Sequence, residues 1–364
     1  MQAAATRYLE TNPLVPATSN SHVYSAGLTA YIDQYITSVC ARCMIGPEAY
    51  EHPELTNMFF EFNNETDRVI GMGLLLPSWM AFIANIPISK GYNKFRKVFL
   101  PIIAKRRVQM AEKKQRNGGT TGAETGNDEL IDFMSFILDI VDDDERAADL
   151  VTIVVRIGLR SLQITLLSTL LDIIDVPGLA DQINSSLTRP AKDAKADLST
   201  LNTFTRTDSS PWALLRAAMF ESTRLCGPAS GPARIITSPY DLALASDPSV
   251  KLPPGQVATL SSFYSHRMPE NYGSDAKQYN PQRFLTSGPN IGSKEFITWG
   301  LKGPHLCPGR WFTQEAICIM MKAVLERYKF EPARTELDDD DKYEYNAGVV
   351  TRKEVPVTVY KRSA

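Results

Sequence analysis

The chain has 364 residues, of which 43% are hydrophobic and 22% are charged, so it can bury a large core. It carries 39 Lys and Arg against 41 Asp and Glu, and a formal charge of -2 gives no electrostatic reason to expect nucleic acid or an acidic membrane as a partner. Five cysteines are an odd number in so long a chain, which is a poor disulfide framework and indicates a reducing compartment. With no signal peptide and no apolar run of about eighteen residues, the chain as written is expected to be soluble, cytoplasmic and without a membrane anchor.

The first part of the chain is expected to be helical. Residues 1–27 lack a sustained apolar period and are interpreted as a poorly ordered lead-in. Apolar residues at helical spacing predict a helix from Leu28 to Met44, which Ile45-Gly46-Pro47 ends. Further helices are predicted over 54–75 and 92–115.

A long central helix is predicted next, after a flexible surface loop over 117–127. Residues 144–175 contain no proline, and one helix of roughly 45 Å through the core is expected. Arg156, Arg160 and Gln163 lie near its middle, where a buried helix would prefer aliphatic residues. We therefore expect these three side chains to face a cavity, a partner or solvent.

The pattern changes beyond Gly227, where proline and glycine become frequent. A helix is predicted from Pro211 to about Cys226, short strands over 233–236 and 256–260, and a last helix over 311–327. We expect one mainly α domain over 28–364, with these parts in order: mainly helical 28–226, β-rich with loops 227–295, a glycine-rich loop and its following helix 296–327, and carboxyl-terminal strands 328–364.

The glycine-rich loop presents one cysteine, Cys307, just before the last helix. Gly303 and Gly309 would allow backbone conformations closed to other residues and a close approach to a flat cofactor. Free amide N–H groups and the dipole at a helix amino terminus favour a thiolate, as a metal ligand requires. The alternative interpretation of a lone cysteine is a buried free thiol in a turn.

The segment Gly303-Pro-His-Leu-Cys-Pro-Gly-Arg310 resembles the cysteine-ligand loop of the cytochrome P-450 family. Glu221-Ser-Thr-Arg224 is similar to the family's Glu-x-x-Arg pair, and at i and i+3 the two side chains share a helix face. Tyr279-Asn-Pro-Gln-Arg283-Phe284 resembles the segment whose arginine completes a Glu-Arg-Arg cluster beneath the haem. Ser265-His-Arg-Met-Pro-Glu270 matches a further family segment and is interpreted as structural.

The resemblance implies a cytochrome P-450 fold, mainly α, with a long central helix and a small β-rich part near the carboxyl terminus. It implies haem b, with iron ligated by the Cys307 thiolate, between the central helix and the Cys307 loop. Glu221, Arg224 and Arg283 would form a buried, fully hydrogen-bonded cluster that supports this loop. Two further residues would contact the haem propionates, with a solvent-facing loop histidine and a strand-edge charge as the alternatives: His305 and Arg234.

Two departures from the family pattern concern the chemistry. The aromatic residue expected seven before Cys307 is replaced by Gly300, and a one-residue insertion would let Trp299 shield the thiolate instead. On the central helix Thr165 falls at the position of the oxygen-activating threonine, with Gln163 where the family offers an acid or amide. Because a glutamine orients water but does not donate a proton as a carboxylic acid does, hydroxylation would depend on a water chain. Alternatively Thr165 is a core threonine that bonds its own helix.

The third departure is at the beginning. Tyr35–Gly46 resembles a helix that complete members reach only after an anchor, a small sheet and several earlier helices, so the chain is interpreted as amino-terminally truncated. Cys40-x-x-Cys43 superficially suggests zinc or redox chemistry, but no second pair of ligands follows, and core helix packing is the favoured interpretation.

A member of this family would insert one oxygen atom from O2 into an apolar small molecule. Electrons would come from a separate NADPH-linked reductase, because no nucleotide- or flavin-binding fingerprint is present. The loop style resembles fungal members, many of which modify sterols, terpenoids or other secondary metabolites. A complete, anchored form would lie at the cytoplasmic face of the endoplasmic reticulum. Two alternatives stay open: a reductase-independent haem-thiolate isomerase or dehydratase, and a non-catalytic truncated remnant.

Overall fold

A computed structural model describes most of the chain. The described residues are 1–14, 28–52, 54–73, 81–116, 132–188, 210–227, 231, 233–244, 247–285, 288–332, 342–346, 349–353 and 357–362. The predicted flexible loop over 117–127 lies outside these ranges.

The described residues are mainly helical, as predicted. The helices are α1 Gln2–Thr11, α2 Leu28–Ile45, α3 Glu48–Glu51, α4 Glu54–Gly73, α5 Ala81–Arg116, α6 Phe133–Ile140, α7 Asp144–Asp175, α8 Leu179–Thr188, α9 Ala213–Leu225, α10 Ser262–Ser265, α11 Pro269–Tyr272, α12 Gln282–Leu285 and α13 Arg310–Arg327. The strands are β1 Ala233–Ile235, β2 Leu242–Ala243, β3 Lys251–Leu252, β4 Val257–Thr259, β5 Tyr328–Pro332, β6 Tyr343–Asn346, β7 Val349–Arg352 and β8 Val357–Lys361.

The described strands form antiparallel pairs and no wider sheet. The pairs are β1 with β4, β2 with β3, β5 with β8 and β6 with β7. Tyr328 lies opposite Lys361 and Tyr343 lies opposite Arg352, so the last part of the chain folds back on itself in two hairpin-like pairs. Because isolated strand pairs are marginally stable in water, contacts from side chains must stabilise this region.

The described residues divide into two compact units, the first ending at Gln163 and the second beginning at Ile164. The division falls inside α7, which is one continuous helix as predicted. Asp143 accepts a hydrogen bond from the Arg146 amide at its start, and Asp144 and Glu145 in its first turn complement the helix dipole. By length and composition α7 could span a membrane: an 18-residue stretch of it has a mean hydropathy of 1.7, but half of that stretch is buried within the protein.

The amino terminus differs from the prediction of a poorly ordered lead-in, because residues 2–11 form α1. Its three consecutive alanines have high helix propensity, and Ala5 and Leu9 are fully buried. The Tyr8 ring lies 5.4 Å from the Tyr35 ring of α2, and burial raises the pKa of Tyr8 to about 12. Tertiary packing against α2 therefore orders a segment whose own sequence shows no sustained apolar period; residues 15–27 lie outside the described part of the chain.

Helix α5 is also longer than predicted, since it begins at Ala81 and continues through Pro87 and Pro101. Proline removes a helical N–H donor, yet the helix continues. Aromatic rings of α5 pack against α4 within the first unit. Ring centroids of Phe59 and Phe95 are 4.4 Å apart, and those of Phe59 and Phe99 are 6.2 Å apart.

A buried arginine joins the helices of the first unit. Arg106 of α5 donates to both carboxylate oxygens of Glu48, to Asp132 at 2.7 Å and to the Ile45 carbonyl at 3.2 Å. Gly46 ends α2 with a φ of +104, and an added Cβ would lie 2.6 Å from both Arg106 Nη2 and Asp132 Oδ2. The predicted stop at Ile45-Gly46-Pro47 is therefore confirmed, and Gly46 makes room for this ion cluster.

We expect Arg106→Met to lower the free energy of unfolding by about 3–5 kcal/mol, because Glu48 and Asp132 would remain buried without a counter-charge. Urea unfolding followed by circular dichroism measures the change. Lys97→Met, on the exposed face of the same helix, is the matched control and should change it by about 0.5 kcal/mol or less. Similar losses in both variants would contradict this account.

Candidate functional site

The loop that carries Cys307 is closed by backbone hydrogen bonds. The Cys307 amide donates to the Trp299 carbonyl at 2.8 Å, and the Leu306 amide donates to the Gly303 carbonyl at 3.2 Å. Arg310 in the first turn of α13 donates to the Cys307 carbonyl at 2.9 Å. Cys307 is partly exposed, whereas Cys40, Cys226 and Cys318 are buried. The loop thus presents its thiol accessibly while holding its backbone.

The glycines of this loop play different parts. Gly303 has a φ of +121, which confirms the predicted left-handed position, and no atom lies near an added Cβ. Gly309 is not in a left-handed conformation: its φ is -79, and an added Cβ would lie at an ordinary 3.9 Å from Cys307 Sγ. The second left-handed glycine is Gly300, with a φ of +85, where an added Cβ would lie 2.8 Å from the His305 carbonyl oxygen. The prediction for Gly309 was therefore wrong, and Gly300 was missed, because sequence spacing does not give the sign of φ.

The structure brings Glu221, Arg224 and Arg283 together. The Glu221 and Arg224 side chains are fully buried on α9 and form two parallel hydrogen bonds of 2.8 Å. Arg283 Nε donates to Glu221 Oε1 at 3.2 Å, and the Asn280 amide donates to the same oxygen at 2.9 Å. The single buried acid therefore accepts hydrogen bonds from both predicted arginines.

The two arginines also bond the backbone that leads to the Cys307 loop. Arg224 donates to the carbonyls of His266, of Ala276 at 2.6 Å and of Gln278 at 3.1 Å. Arg283 donates to the carbonyls of Tyr272 and Asp275, each at 2.7 Å. Since all the charges are paired and the remaining donors satisfied, the cluster meets the condition under which buried ions are tolerated.

Three side chains are hydrogen-bonded to the last turn of α9, and two of them, those of Thr298 and His266, join it to the start of the Cys307 loop. The last carbonyls of a helix have no partner within it and need donors from elsewhere. Here the helix ends at Cys226, which is extended, without a glycine cap. Thr298 Oγ1 donates to the Thr223 carbonyl, and Arg267 Nη2 donates to the Leu225 carbonyl, each at 2.8 Å. His266 Nδ1 lies 2.8 Å from the Arg224 carbonyl, and its Nε2 lies 3.0 Å from the Ile297 amide. Sequence reasoning missed Thr298, and no local pattern indicates it, since the sequence places Gly227 directly after the predicted helix.

The residues predicted to contact propionates are both exposed. His305 lies in the loop, and Arg234 lies on β1 opposite Ala258. Trp299 is buried, and its indole Nε1–H has no hydrogen-bond partner among the described residues. Its observed link to Cys307 is through the backbone, so shielding of the thiolate by the indole stays a prediction.

The structure does not bring Gln163 and Thr165 together. Residues two apart on a helix do not face each other, so their side chains leave α7 on different sides. Gln163 is buried, and its amide lies 3.4 Å from Thr37 Oγ1 on α2. Thr165 is also buried, and its carbonyl accepts a hydrogen bond from the Thr169 hydroxyl at 2.7 Å.

A buried acid further along α7 is fully engaged. Asp172 accepts hydrogen bonds from Ser222 at 2.6 Å, from Tyr343 at 3.0 Å and from Arg352 Nε at 3.0 Å. Burial raises the pKa of Asp172, and Arg352 opposes that rise. This carboxylate therefore joins α7 and α9 to β6 and β7.

The residues around Cys307 fit a haem group. Among the described residues, no three His, Cys, Asp or Glu side chains cluster closely enough to hold a metal ion. A porphyrin would supply the remaining ligands of an iron held by the Cys307 thiolate. Trp299 Nε1 and Gln314 Nε2, on either side of Cys307 in the chain, are buried donors without partners in the described part of the chain, and donors of this kind suit acidic groups on such a ligand.

Comparison with known families decides the assignment. The family model described as "Cytochrome P450" matches residues 16–358. The chain belongs to the cytochrome P450 family. A solved cytochrome P450, CYP102L1, superimposes with a TM-score of 0.63 at 16% identity, covering 99% of this chain and 73% of that one. The predicted cytochrome P450 fold is confirmed.

The relatives are distant and longer. The "Cytochrome P450 family 716 subfamily AD polypeptide 4" of Melia azedarach is 24% identical over 302 residues, which cover 79% of this chain and 57% of that protein. "Probable cytochrome P450 28d1" of Drosophila melanogaster is 29% identical over 135 residues, covering 35% of this chain and 26% of that protein. The chain thus spans little more than half the length of the plant relative.

We expect Gly300→Ala to destabilise the P450 loop more than Gly303→Ala. Both substitutions impose a left-handed conformation that costs about 1–2 kcal/mol, but only the Gly300 variant also forces a contact with the His305 carbonyl. Thermal unfolding of the two variants measures the difference. Equal losses would mean that the backbone near His305 moves without cost.

We expect Arg224→Met to lower the free energy of unfolding by about 3–5 kcal/mol, because Glu221 would lose its main counter-charge and several buried carbonyls their donor. Arg283→Met is the matched comparison and should cost about 1–2 kcal/mol, since Arg283 is 14% exposed and water can replace part of its bonding. Urea unfolding measures both. A larger loss for Arg283 would overturn this ranking.

Proposed function

We propose that the chain is part of a haem-thiolate monooxygenase. It would insert one oxygen atom from O2 into an apolar small molecule, namely a sterol, a terpenoid or another secondary metabolite. The observation that supports this most directly is the accessible Cys307, held in a closed loop whose base is hydrogen-bonded to α9, the helix that carries Glu221 and Arg224. A ligand loop supported in this way resists displacement of its thiolate.

The chain's residues would divide the work of binding. The Cys307 thiolate would hold the haem b iron, and bound haem would supply oxygen chemistry that a thiolate ligand promotes. His305 and Arg234 would donate to the propionates, a role that their exposure and charge permit. Trp299 would limit access of water to the sulfur, as its burial favours.

Thr165 would act on the other side of the haem, holding a water that delivers protons. Its place on α7 supports this role, whereas Gln163 is already directed towards Thr37. We therefore assign the proton path to Thr165 and water, with Gln163 as a residue that positions the helix.

Several finer assignments belong to the same proposal. Electrons would come from an NADPH-linked reductase. The loop style supports a fungal origin, although the relatives described above come from a plant and an insect. The chain covers 57% of the plant relative, so we propose that it is part of a longer protein; a complete form would lie at the cytoplasmic face of the endoplasmic reticulum.

A second candidate is a reductase-independent haem-thiolate isomerase or dehydratase. It is favoured by the lack of an acid between Leu162 and Thr169 and by the engagement of Asp172 with Arg352. Conversion of a fatty-acid hydroperoxide without NADPH would support this activity. Dependence of substrate oxidation on NADPH and a reductase would support the monooxygenase instead.

We expect the full chain, produced with haem supplied, to give a thiolate-type Soret band after reduction and addition of carbon monoxide. Cys307→Ser should abolish that band, because serine cannot supply the thiolate. Cys43→Ser, at another partly exposed cysteine, is the matched control and should leave the band unchanged. Absence of haem from the unmodified chain would instead support the non-catalytic remnant.

A further inference from the structure

His266 lies fully buried between the end of α9 and the start of the Cys307 loop. The Ile297 amide, which can only donate, points at His266 Nε2 over 3.0 Å. Nε2 must therefore be unprotonated, and the ring proton must lie on Nδ1, from which it is donated to the Arg224 carbonyl at 2.8 Å. The geometry thus selects one neutral tautomer.

His266 and Arg224 are hydrogen-bonded to each other in both directions, and ring contacts hold the imidazole further. The Arg224 guanidinium donates back to the His266 carbonyl, so both the backbone and the ring of His266 are bonded to one residue of α9. The imidazole stacks on the Phe296 ring at 5.6 Å with an interplanar angle of 15°. The Tyr272 ring meets its edge at 6.1 Å. These contacts leave His266 little freedom to rotate.

The charged groups around His266 oppose a second ring proton. Arg224 comes from α9 and Arg267 from the residue that follows, while Glu221 is already committed to Arg224 and Arg283. From the loop side, Lys294 and Glu295 are largely solvated, and Tyr272 donates its hydroxyl to the Glu295 carbonyl. The pKa of His266 is lowered to about 4, mainly by burial; the hydrogen bond to the Arg224 carbonyl raises it, and the charges of Arg224 and Arg267 lower it.

We infer that His266 is a positioning residue for the Cys307 loop. As the neutral Nδ1–H imidazole it connects the carboxyl end of α9, which carries Glu221 and Arg224, to the backbone at which the loop begins. The connection continues from Ile297 to Trp299, whose carbonyl holds the Cys307 amide. Only the link to haem retention rests on the proposed function, because the hydrogen bonds exist without it.

Protonation would break this connection, because Nε2–H and the Ile297 N–H are both donors. An imidazole freed from the site titrates near 6.5, whereas the bound one titrates near 4. Between pH 4 and pH 6.5, the form in which His266 has left its site therefore binds a proton that the attached form does not. Attachment of the loop is complete above about pH 6.5, weakens as the pH falls through the window and levels off below about 4. The difference of about 2.5 units corresponds to roughly a 300-fold change in the attachment equilibrium.

The test is amide hydrogen exchange at Ile297 between pH 7 and pH 4, corrected for the intrinsic exchange rate. In the unmodified chain we expect protection of this amide to fall by up to about 300-fold, while the Lys329 amide, which is bonded within the β5–β8 pair, stays protected. In His266→Gln the side-chain oxygen can accept from Ile297 but does not titrate, so protection should be independent of pH. In His266→Asn the shorter side chain cannot reach Ile297, and protection should be low even at pH 7.

Haem provides a second readout. Transfer of haem from the chain to apomyoglobin, followed by the thiolate Soret band, should accelerate below pH 6.5 in the unmodified chain and not in His266→Gln. If the unmodified chain retains no thiolate-ligated haem at pH 7, the proposed function fails, and exchange at Ile297 still decides the role of His266. Constant protection of Ile297 from pH 7 to pH 4, or the same loss in His266→Gln, would overturn the inference. If His266→Asn does not fold, the pH series of the unmodified chain and of His266→Gln still test the role of His266.

Discussion

The buried ion pair between Glu221 and Arg224 is the interaction on which the rest of the site depends. Removing two charges from water is expensive, and the cost is offset only when every remaining donor and acceptor has a partner. Here the partners are backbone carbonyls of the segment between His266 and Gln278, together with the Asn280 amide. The segment is irregular, and its hydrogen bonds to Arg224 hold it in one conformation. The ion pair in turn depends on these carbonyls as acceptors, so neither the pair nor the segment is expected to be stable alone.

Arginine serves the same purpose elsewhere in the molecule. Arg106 joins α5 to Glu48 and Asp132, and Arg352 joins β7 to Asp172 of α7. The described strands form only isolated pairs, which contribute little stability of their own. In a wide sheet, ladder hydrogen bonds join distant parts of the backbone. Here planar guanidinium groups, each with five N–H donors, make such connections. Stability near Cys307 should therefore respond more sharply to loss of an arginine than to loss of a strand hydrogen bond.

Much of this arrangement could be predicted from the sequence. Helical periodicity gave α2 and α7, and the ordered motifs brought Glu221, Arg224 and Arg283 together, because local patterns determine helices and buried ions need partners. Other features depend on contacts that no local pattern contains. Residues 2–11 become helical through packing on α2, and α5 continues through its prolines with its aromatic rings packed against α4. The left-handed glycine at 300 rather than 309 depends on the nearby His305 carbonyl, and the imidazole that joins α9 to Ile297 depends on the contact of His266 with the Arg224 carbonyl.

The polar residues of α7 restrict the chemistry that the helix can perform. Gln163 is directed to Thr37, and Asp172 is surrounded by three donors that stabilise its ionised form against the rise in pKa that burial causes. Protonating Asp172 to make it an acid would remove the partner of Arg352 and leave that guanidinium buried without a counter-charge. Asp172 therefore cannot exchange protons without loosening β7. Under the proposed function, a proton delivered near Thr165 would pass through its hydroxyl and water, so replacing Thr165 would test the chemistry separately from the fold.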